Sequence, residues 1–425
     1  MGKNPARRSP WTRPRDRIVA ALIVVAVVAA GLLVWLTSES RATRSVTAAT
    51  DPGVLHAPAE VPERFDEIWR APSDATPTPV TDGASVVTGD GGTVTGRDLE
   101  SGRPRWTYQR DLDLCTVADP WSTVVAMYQT HALAGGWCSE ITQLDMGTGE
   151  RTAQRNANAE LGTRLIDDGN HAVTTGRKLL NVWSSDLINT MEYGKVPAVV
   201  EPERQPRPGC EYGSVTVSAG RVGVIERCGG EDADRLSVLG TTNTVDGESV
   251  TDQPEVFFST LLESENAKVV ALVDRPESSG SDFLVAVAYG DSKRLAVYGS
   301  DGREIARYSL DLPAAALTSD PDGGVEPAAR TDAGVYWSTG ASTIALDAAD
   351  LRPRWTLHGT IGTGTLFGGS LVLPIQGGLA VVDEESGEVE RRLPVDRGGF
   401  DGPISLDAAG PVLLEQRGDT LVALR

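Results

Sequence analysis

An alternating apolar segment that ends in Asp, turns through Ser, Thr or Gly, and returns as a second strand recurs along most of this chain. The clearest copies are Val94–Trp106 (VTGRDLESGRPRW), Ile141–Ala153 (ITQLDMGTGERTA), Thr343–Trp355 (TIALDAADLRPRW) and Leu379–Leu393 (LAVVDEESGEVERRL). Such alternation, bounded by Asp and Gly, marks a strand, a tight turn and a second strand. Weaker copies lie at Leu179–Tyr193, Arg235–Gly247 and Arg294–Tyr308. The strand-ending position falls at Asp98, Asp145, Ser184, Gly240, Gly299, Asp347 and Asp383, at intervals of 47, 39, 56, 59, 48 and 36 residues. Another strand pair precedes most copies, as AGVYWSTG precedes TIALD. Four strands per roughly 40–50 residues is β-propeller spacing. A closed ring lets 425 residues fold as one all-β domain.

The two ends of the repeat complement each other. Arg425 stands where Asp347 stands in TIALD, so the last unit stops before its outer strand. Phe65–Pro72 (FDEIWRAP) resembles the second half of GRPRWTYQ and is expected to supply that strand, closing the ring without an open edge. Counting Arg425 as the eighth position predicts eight blades. Seven is the alternative, because the long units around Gly240 and Gly299 are the least regular.

The x-Leu-Asp-x-x-Thr-Gly-x-x-x-Trp pattern resembles the blade motif of the quinoprotein-dehydrogenase-like (PQQ-like) β-propellers. The resemblance covers Phe65–Arg425. It is good at Asp98–Trp106, partial at Asp145–Gly149, Asp347–Trp355 and Asp383–Gly387, and poor in the middle blades. It implies that the turn Gly and strand Trp dock neighbouring blades. The chain is similar in particular to the membrane-anchored, PQQ-like propellers of actinobacterial envelopes. The family's enzymes hold pyrroloquinoline quinone with calcium beside adjacent cysteines, and no Cys-Cys pair occurs here. The motif Asp residues are expected to cap turns instead. We therefore expect no cofactor and no catalytic residue. Another family member assists assembly of outer-membrane barrels through protein contacts, which suggests a comparable mode of working.

Ile18–Leu36 (IVAALIVVAVVAAGLLVWL) is nineteen uncharged residues, about 28 Å as a helix, close to the thickness of a bilayer core. Lys3, Arg7, Arg8, Arg13, Arg15 and Arg17 precede it against one acid, Asp16. The positive-inside rule then predicts a cytoplasmic tail over 1–17, a transmembrane helix over 18–36, and export of the rest. A cleaved signal is the rival, but Trp35–Glu39 makes a poor cleavage site. Residues 37–64 read as a linker and 65–425 as the propeller. The body lies outside the cytoplasmic membrane on either reading.

Of 39 bases and 59 acids, 33 and 58 lie beyond residue 36, a net of −25. So acidic a surface repels phosphate backbones, which argues against nucleic acid as a partner. Cys210 and Cys228 flank a hairpin centred on Ser218-Ala219-Gly220, and Cys115 and Cys138 bracket another strand pair, so two local disulfides are expected. A four-Cys metal site would want C-x-x-C spacing, which is absent.

Other signals are weak. Gly91–Arg97 spaces two glycines like a phosphate loop, but lacks the Lys-Ser/Thr and sits in a repeat strand. His56, His131, His171 and His358 are scattered, and Asp320–Gly324 lacks the acidic ligand a calcium loop needs and reads as a solvated turn. Trp121, Tyr128, His131 and Trp137 surround an insertion in the second unit and are the candidate partner contacts, or else pack beneath the loop. These readings point to a non-catalytic envelope scaffold whose propeller binds a protein or envelope polymer. The alternative is a sensor or enzyme holding a small ligand in the central funnel. Converging charged and aromatic side chains would favour the ligand; a plugged funnel beside an exposed apolar patch would favour the partner.

Overall fold

The computed structural model describes residues 14–36, 42–53, 55–130, 136–196, 205–246, 249–275, 282–313 and 315–425. Eight sheets, each built on four antiparallel strands and two of them carrying a fifth, form an eight-bladed propeller. In chain order the blades begin at Val80, Leu114, Leu165, Glu211, Ala267, Ala328, Thr365 and Ile404, and are numbered 1 to 8 below. The outer strand of blade 8 comes from the N-terminal side. Glu67–Pro72 pairs antiparallel with Thr420–Leu424, setting Ala71 beside Leu421 and Trp69 beside Ala423.

The blades dock through one repeated position. Each outer strand opens with a β-bulge, and the residue just past it faces the next blade. In blades 1 to 8 that residue is Trp106, Ala153, Met191, Phe258, Ala306, Trp355, Arg391 and Trp69. Trp106, Trp355 and Trp69 donate their indole N–H to the carbonyls of Met146 (3.0 Å), Glu384 (3.2 Å) and Leu99 (2.8 Å), each following a motif Asp. Gly149, Gly387 and Gly102 lie against the three rings, and Gly302 lies against Phe258; a methyl on any of them would overlap the ring. The motif Asp builds the receiving turn. Asp98, Asp145 and Asp383 accept from the backbone N–H and hydroxyl of Ser101, Thr148 and Ser386 at 2.6–2.9 Å.

Where the docking residue is Ala, the turn carries Leu instead of Gly. Leu187 and Leu351 are buried and left-handed at φ 57°, in the same apolar clusters as Ala153 and Ala306 respectively. Large-on-small has become small-on-large across these two seams. Ala306→Trp should therefore destabilise the protein by about 1–3 kcal/mol through overpacking. Adding Leu351→Gly should recover most of that loss in urea unfolding, and strict additivity would refute the exchange.

Within each blade alternate connections fall on opposite faces. One face carries the turns between first and second and between third and fourth strands; we term it the turn face. The other carries the remaining connections and both cysteine pairs, Cys115–Cys138 and Cys210–Cys228, whose Cα atoms are 6.1 and 4.2 Å apart; we term it the disulfide face. The second pair is aligned by a bulge. Ala219-Gly220 forms a two-residue turn with both φ positive (48° and 74°) and pairs Ser218 with Arg221. Unbroken, that register would set Cys210 opposite Gly229. A bulge between Tyr212 and Val215 shifts it by one, so that Glu211 pairs with Arg227 and Cys210 meets Cys228.

The stretch expected as a linker touches the propeller at several described residues, beginning at Arg44. Arg44–Val46 adds a fifth strand to blade 1 beside Pro104–Gln109. Ala48 N–H donates to Thr148 O (2.9 Å), Arg105 donates to Thr50 O (2.6 Å), and Arg391 donates to Val61 O (2.9 Å). Val61 and Phe65 are buried with Phe367 between blades 7 and 8. Short polar and proline-rich sequence carries no apolar period, which is why composition alone did not reveal this docking.

The helix Pro14–Leu36 is long and apolar enough to cross a bilayer, starts four residues before the expected span, and is not buried against the propeller.

Candidate functional site

The short inner strands of the blades surround a central channel with charge at both ends. Toward the turn face lie Asp119 of blade 2, Asp167 of blade 3 and Asp407 of blade 8. Burial pushes Asp119 up to about 7, with Asp407 and Asp167 adding repulsion and the Thr81 N–H (2.8 Å to Oδ2) opposing the rise. Burial likewise pushes Asp407 up to about 6, and Asp167, itself exposed at the channel, is raised above the usual carboxylate range by the desolvating channel wall and by Asp168. Arg330 of blade 6 reaches back to donate to Leu272 O and Thr216 Oγ1, both at 3.1 Å, and the desolvating channel wall around it lowers its pKa. Charged groups thus converge on the channel. The large aromatics are in the blade seams and cores instead.

These carboxylates give stability a sign with pH. A free Asp titrates near 3.8. Between about pH 4 and pH 7 the folded chain therefore holds more protons at Asp119 than the unfolded chain, and stability falls as pH rises through that window. Asp119→Asn should raise Tm at pH 8 and leave it near wild type at pH 4. A Tm difference independent of pH would refute the assignment.

At the disulfide face the channel mouth is crossed by the connection between blades 5 and 6, which runs from Leu310 to Pro327. Its tip reaches blades 3 and 4. Asp320 accepts a bidentate pair from Arg227 at 2.6 and 2.8 Å, and Gly323 O accepts from Thr175 Oγ1 at 2.6 Å. At its base the buried Lys268–Glu326 ion pair (3.0 Å) fastens it, with Trp337 Nε1 donating to Glu326 at 2.8 Å. Asp320–Gly324 thus keeps Asp320 and Asp322 exposed, as a solvated turn does, and is in addition pinned through Asp320 and Gly323. The long connection lets it span the mouth. Beneath its tip a cavity of about 350 Å³ remains, bounded by residues of blades 1, 2 and 3.

The turn face carries a projection. Arg235–Asp246 and Ser249–Leu261, the outer strands of blade 4, continue past Gly240, where other blades turn. The pairing of Asn243 with Pro254 and Asp246 with Ser249 carries the hairpin about 20 Å beyond its neighbours. At its base Val256 and Phe257 are exposed, as is Leu261 farther along the same edge strand and Ile305 on the next blade. This extension accounts for the 59-residue interval. The only sequence trace of it was that irregular spacing.

The candidate contact residues are not brought together. Tyr128 is fully buried against Tyr108, with ring centroids 6.5 Å apart. Trp121 follows the first strand of blade 2 at the turn face and packs on an apolar cluster. Trp137, partly exposed, precedes the third strand at the disulfide face. One strand, Val124–Gln129, separates them, and a strand delivers its ends to opposite faces. His131 lies outside the described residues. His171 sits near Asp168 (3.8 Å) and Thr241, and His358 Nδ1 is 3.0 Å from Ser342 Oγ. Among the described residues no group of His, Cys, Asp and Glu is placed to hold a metal. Gly91–Arg97 lies in the central hairpin of blade 1.

No family model matches the sequence, and no curated protein matches it. Solved structures do match. The chain is similar to Saccharomyces cerevisiae Sqt1 (TM-score 0.51, 11% identity, 87% of this chain and 99% of that one). It is also similar to the quinohemoprotein alcohol dehydrogenase ADHIIG from Pseudomonas putida HK5 (TM-score 0.50, 10% identity, 88% and 78%). BamB from Moraxella catarrhalis matches at TM-score 0.49 with 13% identity, over 85% and 99%. At such identities the likeness to Sqt1 and to the alcohol dehydrogenase shows the β-propeller fold and nothing finer.

Proposed function

We propose that this chain is a non-catalytic interaction scaffold of the cell envelope. Its helix anchors it with the N-terminus inside, and its propeller binds an envelope protein or polymer outside the cytoplasmic membrane. The observation that carries this reading is the blade 4 hairpin. It extends past the ring, adds nothing to ring closure, and leaves apolar side chains exposed at its base, as partner-binding surfaces do. Residues 37–43 alone separate the helix from the strand Arg44–Val46, so the propeller is held within about 25 Å of the bilayer. Partners are thereby confined to the membrane-proximal layer. The acidic surface disfavours nucleic acid.

The test is crosslinking of the full-length protein in intact cells, compared with a variant in which residues 242–253 are replaced by Asn-Gly. Capture of one or a few envelope components by the wild type, lost in the variant at unchanged Tm, supports the reading. Equal capture by both moves the contact off the hairpin. No enrichment over an unrelated anchored protein refutes the scaffold. The mature N-terminus, read by intact mass, separately tests the uncleaved anchor.

A further inference from the structure

The cavity beneath the crossing loop has a wall built for one kind of charge. Arg164 enters it from the start of the inner strand of blade 3. Its backbone is fixed by two bonds with Thr175, the Thr175 N–H donating to Arg164 O (3.0 Å) and the Arg164 N–H donating to Thr175 Oγ1 (2.9 Å). Thr175 Oγ1 in turn donates to Gly323 O. Gly323, left-handed at φ 64°, lies across the Arg164 side chain where a methyl would overlap its stem. The arginine is thus clamped between blade 3 and the loop. Its guanidinium makes no hydrogen bond or ion pair with any described residue, and burial pushes its pKa below the ordinary value despite the nearby Asp322. Thr116, on the same cavity lining, is buried, and its hydroxyl has no hydrogen-bond partner among the described residues.

A partly buried guanidinium that makes no hydrogen bond or ion pair with a described residue is matched by a planar carboxylate, which takes two parallel N–H bonds. Asp74 and Asp322 stand on the rim of the same cavity. They repel a polyanion and attract an ammonium group. At about 350 Å³ the space is at the lower end of small-ligand sites. We infer that this cavity binds an α-amino carboxylate, a free amino acid or a short peptide, with the carboxylate on Arg164 and the ammonium toward Asp322 and Asp74. The site lies on the face opposite the blade 4 hairpin and does not depend on the scaffold reading.

The test is saturation-transfer NMR on the detergent-solubilised full-length protein with glycine, triglycine, acetate, methylamine and phosphate as probes. Glycine or triglycine should bind saturably, with Kd below about 10 mM, and more tightly than acetate, methylamine or phosphate. The better binder of the two separates a free amino acid from a peptide. Arg164→Gln should weaken binding at least about tenfold with Tm unchanged, because the bidentate charge pair is lost. Asp322→Asn should erase the preference for glycine over acetate. Arg155→Gln, on the outer strand of blade 2, should change nothing. Saturable binding by none of the probes, a preference for phosphate, or binding unaltered by Arg164→Gln would overturn the inference.

Discussion

Deleting Phe65–Pro72 should abolish cooperative unfolding of the propeller, and Trp69→Ala alone should cost about 3–5 kcal/mol. The segment does three things at once. It completes blade 8 through the pairing with Thr420–Leu424, it inserts Trp69 against Gly102 with the indole bonded to Leu99 O, and it buries Phe65 against Phe367. Without it, Thr420–Leu424 becomes an open edge and the seam between blades 8 and 1 loses its anchor. Domains of this kind are stable by roughly 5–15 kcal/mol, so one tryptophan removes a large share. Urea unfolding followed by tryptophan fluorescence reads both variants. A deletion that unfolds in a single transition at the wild-type midpoint would show that closure does not hold the ring. Aggregation of the deleted form at concentrations where the parent stays monodisperse is the companion expectation.

Glu415→Gln should destabilise the protein by about 3–5 kcal/mol, because it strands two buried arginines. Glu415 is fully buried in blade 8. Arg397 grips it at 2.8 and 3.1 Å and Arg417 donates to it at 2.7 Å, and both arginine side chains are nearly inaccessible. Arg397 also donates to Ile375 O (2.8 Å) and Gly378 O (2.9 Å), which ties blade 7 to blade 8. The triad carries one more positive charge than negative, so removing the carboxylate leaves two buried cations with no counter-charge within the triad. Replacing all three by apolar residues (R397M, E415L, R417M) should cost far less than the single change, because desolvation then disappears along with attraction. Chemical denaturation of the two variants decides it. A single variant milder than the triple one would mean that the carboxylate does not govern the site.

Much of the ring was legible in sequence because its instructions are local. A motif Asp that accepts from residues three positions on, a Gly that admits a tryptophan face, and period-two apolar strands each act within a dozen residues. Asp98–Trp106 therefore announced its fold. The middle blades were obscure for a physical reason: their seams solve the same packing problem with different volumes. Phe258 replaces Trp, and Ala153 with Leu187 or Ala306 with Leu351 reverses which side is large. The repeat motif is a matter of identities, whereas a seam needs only a large side chain set against a small one.

The candidate sites were less legible. Trp121 and Trp137 are close in sequence but separated by a strand, so they reach opposite faces. Asp119, Asp167 and Asp407 lie far apart along the chain and meet because inner strands of different blades share one channel. The pinned loop and the Arg164 cavity likewise join blades 1 to 6.

The sequence by itself determined the all-β ring, the strand that closes it, the apolar N-terminal helix and the pairing of the four cysteines. Each depends on spacing along the chain and on short-range pairing. Only the tertiary structure decided that Arg44–Val46, Ala48, Thr50 and Val61 lie on the propeller, that a connection crosses the channel mouth, and which charged groups face one another. Those follow from long-range closure, where the geometry of eight stacked sheets and not any local propensity sets which residues become neighbours.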